Sequence, residues 1–340
     1  MRGRVSTDVT IKDIARLAGV SVSTVSRVVN RSGLVAPNKR LAVEHVLSQV
    51  NYIPNNAARA LVKRRSMTIG LIVPTLSNPI FAPSIGAVET VLAEHGFGLL
   101  ISCSHRDPEA ELAQSRTMIE RGVEGIIFTG SYRHPGVMPM IAARGIAAVS
   151  QDDPEGAPGL LSIGMPDAAA MACAIDELVA RGHRRIGIVT GPTRNTRPIA
   201  DRLSGGLARL AEHGIALGDA GVTEASDYSA EAARLATRKL IQQSQDLTAI
   251  ACTGDMPAIG VVAECMAQGI RVPDDISITG CGETIMAQYV HPSLATVRLP
   301  FAELGRLAAQ GLLDMIEGRP AAPVAPLDYA FVPGNSIRSV

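Results

Sequence analysis

Six times along this chain a helix-length amphipathic stretch stops at a glycine and gives way to a β-type run: His95-Gly96, Arg121-Gly122, Arg144-Gly145, Arg181-Gly182, His213-Gly214 and Gln268-Gly269. Glycine supplies the left-handed backbone that ends a helix, and a cation beside it complements the negative end of the helix dipole. This punctuation predicts βα units and parallel sheets. The strands expected are 68–73, 98–103, 125–129, 147–151, 185–190, 248–253 and 276–280. From Met67 onward the text is long enough for two doubly wound lobes, which bind small ligands beyond the carboxyl ends of their strands. The loops that bear on function are then 74–81, 129–134, 150–153, 191–202, 254–255 and 280–284.

The first 50 residues read differently, as three short helices. Thr10 caps a helix with Ile11, Ile14, Ala15 and Ala18 on one face, and Asp13 supplies a weaker version of the capping box. Gly19 ends it, and Ser21 caps a second helix whose Val25, Val28 and Val29 form a buried stripe opposite Ser23, Ser26, Arg27 and Asn30. Helix, glycine turn and a helix with a polar outer face make a helix-turn-helix. A third helix opens near Pro37 and closes the small core with Val43, Val46, Leu47 and Val50. Tyr52-Ile53-Pro54 interrupts it. Residues 55–61 then offer a cap, Asn55, and a run too short to be stable alone, ending in Lys63-Arg64-Arg65.

Charge separates these regions. The formal net charge is +0, yet residues 1–65 hold 12 Lys and Arg against 3 acidic groups, a net of +9, which leaves −9 on the other 275 residues. A basic segment on an acidic body points to a polyanion contact at one end only. With 46% hydrophobic and 19% charged residues and no low-complexity run, disorder is excluded. The start of the chain has no continuous apolar segment of the secretory type, so a cytoplasmic protein with no membrane partner is expected. Residues 66–88 carry no charge but contain three prolines, and read as strand, loop and helix start. Five cysteines without C-x-x-C spacing read as buried thiols, with no metal site.

The strings VTIKDIARLAGVSVSTVSRVVN (9–30) and YIPNNAARAL (52–61) resemble the helix-turn-helix and hinge helix of the lactose/galactose-repressor (LacI/GalR) family of bacterial transcription regulators. TIGLIVPTLSNPIFA, RGHRRIGIVTGP, RVPDDISITG and HPSLATVRLP are similar to its body. The resemblance implies an α/β chain with a three-helix headpiece at 1–54, a hinge helix and linker at 55–66, and a two-lobed body like periplasmic binding proteins at 67–340. Its N-lobe would take about 67–165 and 296–325, and its C-lobe about 166–295 and 326–340.

The same resemblance implies a cytoplasmic homodimer on a near-palindromic double-stranded DNA operator, more often a repressor. Val22, Ser23 and Arg27 fall at base-reading positions, where an arginine fork can pair with guanine. Leu61 falls at the leucine that wedges into the minor groove, with Arg59 and Ala58 beside it. Thr10, Ser21, Thr24, Asn30 and Asn55 are candidate phosphate contacts.

Allostery would run through a small-molecule effector between the lobes; no other cofactor is implied. Phe81, Met165 and Tyr228 match positions walling that pocket, and Asp152 a polar one. The usual arginine is placed at Ala200, the usual aspartate at Gly282 and the usual asparagine at Gly254, with Asp255 and Glu283 acidic beside the lost positions. Two ligand classes lead, and another ligand, or none, also stays open. Arg194, Arg197 or Arg202, with His134 opposite, would hold an anion, and the TGSYRHP loop resembles the gluconate-responsive branch, which favours a sugar acid. A neutral sugar held differently is the other.

An α/β enzyme shares this architecture, but no G-x-G-x-x-G, Walker A, G-x-S-x-G or H-E-x-x-H string occurs. A solute-binding protein would share the body and have no use for the basic headpiece.

Overall fold

The computed structural model describes residues 9–29, 33–50, 65–154, 156, 160–218, 221–244, 246–320 and 325–340. The expectations for Asn30, Asn55, Ala58, Arg59 and Leu61 lie outside the described residues. Two compact units are present, Met1–Ser66 and Met67–Val340.

In the first unit, α1 (Ile11–Leu17), α2 (Val22–Val29) and α3 (Pro37–Val50) enclose Ile14, Ala15, Val25, Val43 and Val46. Fully burying an aliphatic side chain stabilises by about 1.5–3 kcal/mol, so a core this small leaves little margin for losing a helix cap. The capping box is complete: the Thr10 hydroxyl oxygen accepts from Asp13 N (3.3 Å), and Asp13 Oδ2 accepts from Thr10 N (3.1 Å). Ser21 likewise accepts from Thr24 N (3.2 Å) at the start of α2.

The second unit holds two parallel sheets. The first, in order β2-β1-β3-β4-β5, contains β1 (Thr68–Val73), β2 (Gly98–Cys103), β3 (Gly125–Thr129), β4 (Ala147–Gln151) and β5 (Leu161–Ile163). The second, β7-β6-β8-β9, contains β6 (Ile186–Thr190), β7 (Val222–Glu224), β8 (Ala249–Cys252) and β9 (Ser277–Thr279). An antiparallel pair, β10 (Thr296–Arg298) with β11 (Ala330–Val332), accompanies them. The strands read as apolar runs because both faces are covered: Ile69, Leu71 and Val73 lie in one core cluster, while Ile72, Ile126 and Phe128 lie in another.

The covering helices are α4 (Ala82–Glu94), α5 (Pro108–Glu120), α6 (Val137–Arg144), α7 (Asp167–Ala180), α8 (Arg197–Glu212), α9 (Ala230–Gln243), α10 (Asp255–Ala267) and α11 (Phe301–Ile316). All six expected glycine stops have positive φ, from 62° at Gly145 to 95° at Gly182. Three helix pairs approach so closely that a Cβ would strike backbone. At Gly305 of α11 it would lie 2.3 Å from Ser84 O of α4, at Gly205 of α8 2.3 Å from Ala168 O of α7, and at Gly260 of α10 2.2 Å from Ala230 O of α9. α11 therefore belongs with the first sheet although it follows the second in sequence. Among the described residues, no helix is long and apolar enough to cross a membrane, no His, Cys, Asp and Glu cluster fits a metal, and all five cysteines are free.

Candidate functional site

On the first unit, the outer face of α2 is polar and open. Ser21, Ser23 and Arg27 are exposed, and Val22 keeps 42% of its surface accessible, while Val25 anchors the opposite face in the core. Ser21 Oγ lies 2.8 Å from Ser23 Oγ and 2.9 Å from Thr24 Oγ1, a hydroxyl cluster at a helix N-terminus. The amide and hydroxyl of Thr10 both donate to Asp13 Oδ2, and the amide and hydroxyl of Thr24 are likewise engaged by Ser21.

On the second unit, a cleft of about 980 Å³, open solvent at its mouth included, lies beyond the carboxyl ends of both sets of strands. Of the expected residues, Phe81, Asp152, Arg197, Tyr228 and Asp255 line it, and two do not. Met165 packs into the core beside Val149 and Ile163, because an apolar side chain there has more surface to bury inward. Glu283 turns on a left-handed backbone (φ 49°) toward Arg298, 3.6 Å away.

Asp255 is a strut. Its Oδ2 accepts from Thr284 N (2.5 Å) and its Oδ1 from Thr296 Oγ1 (2.6 Å), so both oxygens are committed to neighbouring loops. Asp152 is the opposite case: 6% exposed, with left-handed φ of 61°, its Oδ1 is buried with no partner. Burial pushes its carboxyl up to about 8, Asp167 adds to the rise, and Arg202 opposes it. Arg202 and Asp167 form a pair whose side chains are each 2% exposed, Arg202 Nε donating to Asp167 Oδ1 (2.6 Å) and Nη1 to Thr253 O (3.0 Å). Two further orphan oxygens, Glu111 Oε1 and Thr284 Oγ1, belong to residues lining the same cleft.

The cations differ in how far they are committed. Arg197 Nε donates to both oxygens of Asp201 (2.9 and 3.0 Å). Arg194 is exposed and not on the lining, and His134 Nε2 pairs with Glu109 (3.1 Å). Arg106, which the sequence reading passed over, lines the cleft, and its Cζ lies 3.8 Å from the Tyr228 ring centroid. No carboxylate among the described residues lies within ion-pair distance of it. Burial lowers its pKa, with Tyr228 and Asp152 opposing. Its only sequence signal is its place just past the carboxyl end of β2.

Residues 10–55 match the model of "Bacterial regulatory proteins, lacI family", and residues 175–337 match the periplasmic binding protein-like domain. The ribose operon repressor of Haemophilus influenzae is 34% identical over 310 residues, covering 91% of this chain and 92% of that protein. The chain belongs to the LacI family. The HTH-type transcriptional regulator GalR of Escherichia coli is 33% identical over 325 residues, covering 92% of this chain and 90% of its own length. Among solved structures, the Lac repressor dimer bound to operator and the anti-inducer ONPF superposes with a TM-score of 0.87 at 26% identity, covering 98% of this chain and 100% of that one.

As a LacI-family member the chain is a DNA-binding transcriptional regulator, and the enzyme and solute-binding readings fall away. The family frame also sharpens the departures in the cleft. Ala200 is not on its lining, whereas Arg202, two residues on, is. Gly282 has φ of 136°, and a Cβ there would sit 2.9 Å from Ile80 Cδ1, so no aspartate fits that position as the loop stands. Gly254 is extended (φ −169°) and meets its neighbours at ordinary distances, so nothing in the backbone demands glycine there.

Proposed function

We propose that this LacI-family regulator represses transcription by binding a near-palindromic operator as a dimer, and that a sugar acid in the cleft sets its affinity for that operator. On DNA, Val22, Ser23 and Arg27 read bases in the major groove, Ser21, Thr24, Asn30 and Asn55 meet phosphates, and Leu61, with Ala58 and Arg59, opens the minor groove. The exposed outer face of α2 supports the first of these assignments.

The ligand class follows from what the cleft leaves unmet. Asp152 Oδ1, Glu111 Oε1 and Thr284 Oγ1 are buried without partners, and a molecule rich in hydroxyl groups supplies their hydrogen bonds. The observation that carries the acid is Arg106, a partly buried guanidinium without a carboxylate partner among the described residues; a ligand carboxylate completes it with charge-assisted bonds. Arg106 takes the role that the sequence left open among Arg194, Arg197 and Arg202.

The test is thermal unfolding of the full chain against aldonates, uronates, neutral sugars and nucleobases. A ligand that binds only the folded state raises the melting temperature, by about 2.7 kcal/mol of stabilisation at a hundred times its Kd. A sugar acid is expected to raise it in wild type and in Arg197→Ala, and not in Arg106→Ala. Stabilisation by a neutral sugar alone overturns the acid assignment.

A further inference from the structure

Arg106 and Tyr228 come from opposite sides of the cleft. Arg106 follows β2 of the first sheet, on a loop where His105 (φ 53°) and Arg106 (φ 57°) are both left-handed. Two consecutive non-glycine residues in that region carry a backbone cost, which persists only where surrounding contacts hold it. Tyr228 follows β7 of the second sheet and is fixed at three points. Its hydroxyl donates to Pro192 O (2.5 Å) and lies 2.6 Å from Thr196 Oγ1, and its ring lies against Gly191, where a Cβ would come within 2.7 Å of Cδ1. The ring is therefore a rigid platform and the guanidinium the adjustable partner. A planar cation at 3.8 Å from a ring centroid is in the range of a strong cation–π contact, and partial burial of Arg106 strengthens it.

We propose that Arg106 and Tyr228 form a clasp across the cleft, tying the two lobes together and holding the guanidinium where it receives the acidic end of the effector. Tyr228 is then the positioning residue and Arg106 the residue that selects acid over neutral ligand. The receiving half rests on the sugar-acid reading above; the clasp itself does not.

Both halves are measurable on the full chain. Denaturant unfolding of Arg106→Met, Tyr228→Leu and the double variant is expected to show coupling. The double variant should lose about three- to thirtyfold less in its folding equilibrium constant than the product of the single losses. Tyr228→Phe, which keeps the ring face, should retain most of that coupling. Losses that multiply independently overturn the clasp. D-gluconate and D-glucose are the ligand probes: stabilisation by gluconate that is lost in Arg106→Met and weakened in Tyr228→Leu supports anion receipt. Gluconate stabilising wild type and Arg106→Met equally overturns that half. If neither probe stabilises wild type while the coupling is present, the clasp stands and the sugar-acid reading fails for gluconate.

Discussion

At the residue scale, the protein keeps an acid where it is costly to ionise. Asp152 is buried and feels the charge of Asp167, whose carboxyl burial also raises, and the nearby Arg202 is already held by Asp167 and Thr253. A carboxyl raised to about 8 in the folded state and near 4 in the unfolded chain binds its proton more tightly when folded. Its contribution is therefore fully present below the unfolded value and is lost as pH rises toward 8. The slope is at most about 1.4 kcal/mol per pH unit. Asp152→Asn, which keeps the shape without the charge, is expected to be the more stable protein at pH 8 and to flatten the pH dependence between 5 and 8. Unfolding curves at a series of pH values decide it, and an unchanged slope would place the dependence elsewhere. Arg106 shows the limit of sequence reading at this scale. SHRDPE is an ordinary hydrophilic loop, and only the fold reveals that its arginine faces a tyrosine more than a hundred positions away.

At the scale of elements, the sequence was most legible where the period was longest. The strands 68–73, 98–103, 125–129 and 147–151 coincide with β1 to β4, and 185–190, 248–253 and 276–280 overrun β6, β8 and β9 by one residue at one or both ends. β5, β7, β10 and β11, each three residues long, escaped notice. Glycines that end helices were visible because a basic residue often precedes them; those that let helices touch were not, since a helical glycine beside a neighbour's backbone carries no local mark. Gly305→Ala tests such a contact. Its methyl would meet Ser84 O at 2.3 Å, so α11 must lift from α4, at a cost of about 1–3 kcal/mol. Denaturant midpoints should fall accordingly, and an unchanged midpoint would mean that the two helices slide freely.

At the scale of the whole molecule, a formal net charge of +0 conceals +9 on residues 1–65 and −9 on the remainder. Contact with DNA through the basic segment releases counterions, so operator affinity is expected to drop steeply with salt, by about a thousandfold or more between 50 and 200 mM for six or more phosphate contacts. Arg27→Ala should weaken operator binding by about 1–3 kcal/mol and relax base preference without changing that slope much. Leu61→Ala should weaken it by reducing the bend, which band-shift and bending assays separate from lost base reading. An affinity indifferent to salt would contradict a phosphate-dominated interface.

Gly282 and Ile80 carry a consequence for how such a cleft changes over time. The two positions lie about two hundred residues apart in the chain, yet the side chain of one occupies the space that any side chain at the other would need. An aspartate at 282 is disfavoured chiefly by the φ of 136°, because Ile80 Cδ1 at 2.9 Å is the end of a side chain that can turn aside. Placing a carboxylate there therefore requires a rebuilt turn, with the end of the Ile80 side chain swinging aside to make room. A single substitution at 282 is thus not enough to give the cleft an acidic side chain at that point; the turn that carries it has to change as well.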